Sequence, residues 1–284
     1  MRIDFELMRA LGLCLERPAE VHARLAECLE LGPPPTAKDH MHVLVCSLCP
    51  YASVYLDTGG LIGGRARARI GAFLRAMEAP SLEEPDHLGT LLMTWSHIWR
   101  WQDEEEDDEL RALYQRLEKE LFWEHIASFA PAYLSAVEEC GVEFYARWAE
   151  RLLRIVQERA QSLGEADALP QHLAMAPPLA ELGMREAIDN FEALLAPVRS
   201  GIIVVRDELL DHARARGLGR VVRDRAGVLH QLLQEDLRES LAWLAARSAR
   251  WADLHREQPF GFVSKEWATR AARTRDFLEA AAER

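Results

Sequence analysis

The sequence predicts an all-α protein, a helical bundle followed by a smaller helical region. Three observations carry that expectation. Apolar residues recur three and four positions apart along most of the chain, the spacing of one helix face. Glycine and proline interrupt these stretches where turns are needed. Only Gly201-Ile202-Ile203-Val204-Val205 reads as a strand, and with no partner run it is expected as a buried connector.

Taken in order, Leu7, Met8, Leu11 and Leu15 form the first apolar face, and Ile70, Phe73, Leu74 and Met77 the next. Leu88, Leu91, Leu92, Trp95 and Trp99 follow, then Leu110, Leu113, Tyr114, Leu117 and Leu121. Phe144, Tyr145, Trp148, Leu152 and Ile155 make a further helix after Gly141. Gly32-Pro33-Pro34-Pro35 and residues 57–64 read as loops. From Ser162 to Pro178 the period fails, with Gly164, Pro170, Pro177 and Pro178 among small and polar residues. The expected organisation is therefore a bundle over 1–162, a linker over 163–178 and a helical region over 179–284. In that last region Ile188, Phe191, Leu194 and Leu195 precede a stop near Pro197. Asp236 to Glu239 reads as a capping box opening a helix with Leu241, Leu244, Ser248 and Trp251 on one face. Ser264 is the expected cap of a final helix lined by Trp267, Ala271, Thr274 and Leu278.

Composition narrows the function. The chain has 284 residues, 49% of them hydrophobic, enough for a self-sufficient core. No apolar stretch reaches the ~18–20 residues of a membrane span. Met1 to Glu6 lacks the apolar core of an export signal, and five scattered cysteines fit a reducing compartment, so a cytoplasmic protein is expected. A formal net charge of −12 disfavours a nucleic-acid partner and suits the steering of a cationic one.

Several constellations invite chemistry. His40, His42, Cys46 and Cys49 could line one helical face and ligate zinc, but Val43, Leu44, Val45 and Leu48 between them read as core. They support the alternative of a metal- or redox-responsive regulator with its arginine-rich C-terminal helices on DNA, since Arg199 to Arg225 holds seven arginines against four acids. Asp103 to Glu109 is an unbroken acidic run, either a solvated loop between helices or a lure for a basic partner segment. Gly59-Gly60-Leu61-Ile62-Gly63-Gly64 lacks the Lys-Ser/Thr of a phosphate loop and reads as a turn with positive φ. No catalytic motif is found, and no catalytic, cofactor or metal residue is nominated.

Two segments are less generic. Pro50-Tyr51-Ala52-Ser53-Val54-Tyr55-Leu56-Asp57 joins an apolar run to the glycine turn, and Glu84-Pro85-Asp86-His87-Leu88 opens a helix. Together they resemble the TorD/DmsD family of cytoplasmic chaperones, maturation factors of molybdenum oxidoreductases. His125, Phe129 and Phe144-Tyr145 fall where that family places a His, an aromatic and a Phe-Tyr pair. The resemblance covers roughly residues 1–160 and departs from the family at Val43 to Cys46, Thr90-Leu91 and Ser128-Phe129.

The resemblance implies a TorD-like helical bundle and no enzyme. Its partner would be the apo catalytic subunit of a molybdopterin oxidoreductase, bound through a twin-arginine leader peptide and the folded body until cofactor insertion. It implies neither nucleic-acid nor membrane binding, and a monomer with a dimer left open. By residue, Tyr51 and Tyr55 would line an apolar groove, Ser53 would bond locally and Gly64 would let backbones approach. Asp86 would pair a leader arginine with His87 orienting it, or would cap the following helix. Burying three or four leader side chains at about 1.5–3 kcal/mol each, less ordering costs, suits releasable binding near micromolar.

Overall fold

The computed structural model describes residues 5–77, 83–181, 191–218 and 224–283, and every structural statement refers to these. They are helical throughout, with no strand and a single isolated bridge between Tyr51 and His87. The chain divides into two compact units, one of residues 1–53 and 62–172, the other of 54–61 and 173–284.

The first unit holds α1 (Phe5–Leu13), α2 (Glu20–Cys28), the short α3 (Ala37–His40) and the start of α4 (Ala52–Leu56). After the glycine turn come α5 (Gly64–Ala76), α6 (Leu88–Glu104), α7 (Asp108–Glu120), α8 (Ala130–Glu138) and α9 (Glu143–Leu163). Two π-helical turns, Met41–Ser47 and Leu121–Ile126, extend α3 and α7. A short α10 (Gln171–Met175) follows α9, so the stretch 163–178 is not without structure.

Helix faces read from the sequence are buried as their spacing requires. Met8 and Leu11 of α1, Leu88 to Trp95 of α6, and Phe144, Tyr145, Trp148 and Leu152 of α9 form the core. There α1 packs on α6, and α8 on α9. Trp148 is fully buried and its indole donates to the Leu11 carbonyl at 2.9 Å, so the polar edge of a core aromatic is satisfied as it ties α9 to α1.

Helix α7 departs from its expected packing. Of the apolar stripe expected to face inward, Leu121 just past the helix is fully buried, yet Leu110 and Leu113 are 43% and 40% exposed and the buried residue within α7 is Glu118. The reason lies in what surrounds that carboxylate. Trp95 and Gln102 of α6 each donate to it at 2.9 Å, and Trp99 donates as well. Arg159 of α9 closes a bidentate pair at 2.7 and 2.6 Å. Burial alone would raise the Glu118 pKa, but the bonds from Arg159, Trp95, Gln102 and Trp99 outweigh it and hold the carboxyl below its usual range. Five donor groups thus satisfy an acid on the inward side of α7, while the leucines of its first two turns face out.

The second unit carries a 3₁₀ turn at Leu179–Glu181 and another at Phe191–Leu195. It continues with α11 (Pro197–Ser200), α12 (Arg206–Ala215), α13 (Arg225–Glu235), α14 (Leu237–Glu257) and α15 (Phe262–Ala282). The two long helices, α14 and α15, pack along each other. Ile188, expected on a helix with Phe191, lies outside the described residues, as do Arg220 and Arg223 of the arginine-rich stretch.

Ile202, Ile203 and Val204 are buried coil, and polar groups of both long helices bond backbone carbonyls before it. Buried Arg270 of α15 donates to the carbonyls of Val198 and Leu173 and pairs with Glu266 at 2.7 Å. His255 of α14 lies 2.9 Å from the Gly201 carbonyl, and burial pushes its pKa down to about 4. Gly201 has φ +73°, and a Cβ there would sit 2.3 Å from the Ala271 nitrogen, so only glycine fits.

Two capping expectations change. Asp236 does cap α14, accepting from Glu239 N–H at 3.1 Å, but Glu239 pairs with Arg216 at 3.2 Å instead of closing the box. Ser264 lies inside the first turn of α15, where its hydroxyl accepts from Phe260 N–H at 3.2 Å; Gly261 precedes that helix.

Removing the Glu118 side chain strands four buried or half-buried donor residues. Glu118→Ala should lower the unfolding free energy by about 3–5 kcal/mol at neutral pH, measured by urea titration. Because folding depresses this pKa, the stabilisation is present above the unfolded value and lost as pH falls through the folded one. The gap between wild type and variant should therefore narrow below about pH 4.5. A constant gap down to acid unfolding would contradict the role given to the charged form.

Candidate functional site

The two distinctive segments meet in the first unit. Pro50 has no N–H to offer a strand, but its carbonyl accepts from Leu88 N–H at 2.7 Å, and Ala52 N–H donates to the Asp86 carbonyl at 2.8 Å. These two bonds flank Tyr51 and His87 and form the antiparallel bridge. They also satisfy Leu88, the first N–H of α6, one of the donors a helix start leaves open.

A carboxylate fastens the bridge from beneath. Asp86 is fully buried, and its Oδ2 accepts from the Ser53 hydroxyl at 2.5 Å and from Ser53 N–H at 3.3 Å. The Ser53 hydroxyl in turn accepts from Gly63 N–H at 3.0 Å, which draws the glycine turn into the same network. The other Asp86 oxygen lies 3.8 Å from Arg67 Nε of α5, and Arg67 also donates to the Glu83 carbonyl. Gly63 and Gly64 have φ of +114° and +69°, as the sequence led one to expect for this turn.

Asp86 is not the cap of α6. That place is taken by His87, whose Nδ1 accepts from Gly89 N–H at 3.2 Å. Burial, the largest influence, lowers the His87 pKa, which favours the neutral ring that the cap requires. The imidazole faces Gly89, so its direct task is capping α6 and not orienting Asp86.

Above the bridge the surface is aromatic and acidic. The Tyr51 ring stands edge-on to His87 with centroids 5.0 Å apart. Its hydroxyl donates to Glu84 Oε1 at 2.6 Å, and burial, followed by this bond, raises the phenol pKa so that it stays protonated. Glu84 is exposed and Tyr51 half-buried, and Ile62 is 52% exposed.

The structure therefore sorts the six expected site residues. Tyr51, Ser53, Asp86 and His87 come together with Gly64 at the turn, but with changed parts. Asp86 and Ser53 lie beneath the surface, and Tyr55 is 2% exposed and presents no ring face to solvent. Glu84 and Arg67 join the site unpredicted. Glu84 sits within the second segment, and Arg67 is the middle member of the spaced series Arg65, Arg67, Arg69, a signal visible but ambiguous. His125, Phe129, Phe144 and Tyr145 are core residues.

The alternative constellation does not assemble. Among the described residues no group of three or more His, Cys, Asp and Glu side chains is placed to hold a metal ion. His40 approaches the Leu15 carbonyl at 3.4 Å, Cys49 bonds back to Val45 at 3.1 Å, and Cys46 is exposed on the π-helical turn. The described arginines of the C-terminal stretch are likewise engaged: Arg216 with Asp236 and Glu239, Arg214 with Asp211, Arg225 with two backbone carbonyls.

The described residues thus form an all-helical protein that holds an aromatic and acidic surface rigidly above the bridge. Comparison adds a family match over part of the chain. Residues 43–135 match the nitrate reductase delta subunit family, the molybdoenzyme maturation chaperones that the paired motifs resemble. The match spans about a third of the chain and includes all six expected site residues. No curated protein and no solved structure shows significant similarity to the chain. Among the described residues no helix is long and apolar enough to cross a membrane.

Removing the Ser53 hydroxyl takes a donor from Asp86 and an acceptor from Gly63. Ser53→Ala should cost about 1–3 kcal/mol of unfolding free energy, read from thermal or urea melts. An unchanged stability would mean that the network beneath the bridge holds nothing together.

Proposed function

We propose that this protein is a cytoplasmic chaperone that binds the apo catalytic subunit of a molybdopterin oxidoreductase. It engages the subunit through its twin-arginine leader and folded body, and holds it until cofactor insertion and export. The observation that carries this reading is the family match over residues 43–135, which contains both segments joined at the Tyr51–His87 bridge. On this reading residues 1–162 form the chaperone domain and the helices beyond it act alongside.

The leader meets the surface above the bridge. Tyr51 offers a ring whose position is fixed by His87 and Glu84, so little side-chain entropy is lost on binding. Ile62 adds apolar surface, and the exposed Glu84 carboxylate faces a leader guanidinium. Asp86, Ser53 and Gly64 set the shape of that surface from below, and His87 fixes the start of α6. Affinity near micromolar follows from a few buried side chains and leaves release possible.

Two measurements test the proposal together. Native protein purified from its host under anaerobic, enzyme-inducing conditions should bring down a molybdoenzyme catalytic subunit. In fluorescence titration with that subunit's leader peptide, Glu84→Gln should weaken binding about threefold to tenfold at low salt and less at high salt. Recovery of no molybdoenzyme subunit would sink the reading; equal loss at both salt levels would remove Glu84 from the electrostatic role.

A further inference from the structure

The arrangement of α7 described above leaves an apolar surface without a partner in the first unit. Leu110 and Leu113 are exposed one turn apart, and Leu117, one turn further on, is half-buried. The half-buried rings of Tyr114 and Trp101, 5.6 Å apart between centroids, lie at its edge. Glu118 occupies the inward position that one of these leucines would otherwise take. The exposure is thus built in by a satisfied buried network.

The same surface is flanked by acid. Helix α6 runs through Glu104, and Asp107 caps α7 by accepting from Glu109 and Leu110 N–H at 2.8 and 3.1 Å, so only Glu105 to Asp107 separate the helices. Two of the seven acids have cations: Asp108 meets Arg111 at 2.6 Å and Glu104 approaches Arg100 at 3.9 Å. Among the described residues Asp103, Glu106 and Glu109 form no ion pair, and all three are exposed. Glu109 precedes Leu113 by one helical turn, placing negative charge beside the apolar stripe.

We propose that the exposed side of α7, with the acidic turn before it, is a docking surface for a cationic amphipathic helix of another protein. Charge decides the occupant. A second copy packed about a twofold axis would bring two acidic runs together in a chain already at −12. Anionic lipid and nucleic acid are repelled for the same reason. A helix with apolar residues three and four apart fits the ridge of Leu110, Leu113 and Leu117. Its flanking lysines or arginines meet Glu106 and Glu109, and one of them can stack on Trp101. This surface is distinct from the Tyr51–His87 bridge, and the inference stands whatever client the bridge surface serves.

The test uses the full chain and a fluorescent leucine/lysine amphipathic peptide of about 18 residues, long enough to form a helix. A leucine/glutamate peptide of the same pattern serves as the counter-probe. Binding of the lysine peptide should weaken about tenfold in Leu110→Ser/Leu113→Ser and about tenfold in Glu106→Gln/Glu109→Gln at low salt. The glutamate peptide should not bind. Glu257→Gln/Glu279→Gln removes the same charge from exposed positions in the second unit and should change the affinity less than about twofold. All pairs are exposed and should keep the wild-type melting temperature within a few degrees, about the effect of a surface substitution. Equal weakening by the two acidic pairs would reduce the effect to net charge and overturn the proposal. So would unchanged binding in the leucine pair.

Discussion

A carboxylate taken out of water costs several kcal/mol unless donors meet it, and two such groups organise the first unit. Asp86 sits where two segments 33 positions apart come together; its side-chain partners belong to the first segment and α5, and the glycine turn joins through Ser53. Glu118 sits where α6, α7 and α9 converge, and it draws indole, amide and guanidinium donors from two of them. Each acid dictates what must be near it. Apolar packing supplies the driving force, but leucines could slide past one another at less cost. The buried acids fix the register.

Their consequences for the surface differ. Beneath the Tyr51–His87 bridge, Asp86 holds a rigid aromatic platform with an exposed acid at its rim. Around Glu118, the same kind of bonding puts an acid on the inner side of a helix whose Leu110 and Leu113 face out. In both cases polar bonding inside determines the apolar surface outside. The second unit uses the mirror device: a buried arginine bonds the carbonyls of two short helices, and a buried histidine bonds the Gly201 carbonyl just before the coil.

Much of the fold was legible because helix period is a local signal. The faces of α1, α6, α9, α14 and α15 follow from spacing alone, and so does the connector at Ile202 to Val204, since a single apolar run without a partner has nothing to pair with. The site was legible only in part. That Tyr51, Ser53, Asp86 and His87 belong together was apparent from the paired motifs, but spacing carries no information on depth. Asp86 reads the same whether it faces a ligand or a serine hydroxyl. Its neighbour His87 was not read as the cap because histidine seldom serves there, and the choice depends on which ring nitrogen finds Gly89. The misreading of α7 has the same origin: an inward glutamate is invisible until its donors, drawn from residues 95, 99, 102 and 159, are placed around it.

The Tyr51–His87 bridge is a permanent part of the folded first unit if the surface above it is held as rigidly as its bonds imply. Native-state hydrogen exchange at two backbone amides tests this directly. Ala52 and Leu88 donate the bridge bonds, so both should exchange as slowly as the core amides of α6, through global unfolding. Exchange as fast as that of the exposed glycine turn would show that the two segments separate readily in the native protein, and would contradict the account.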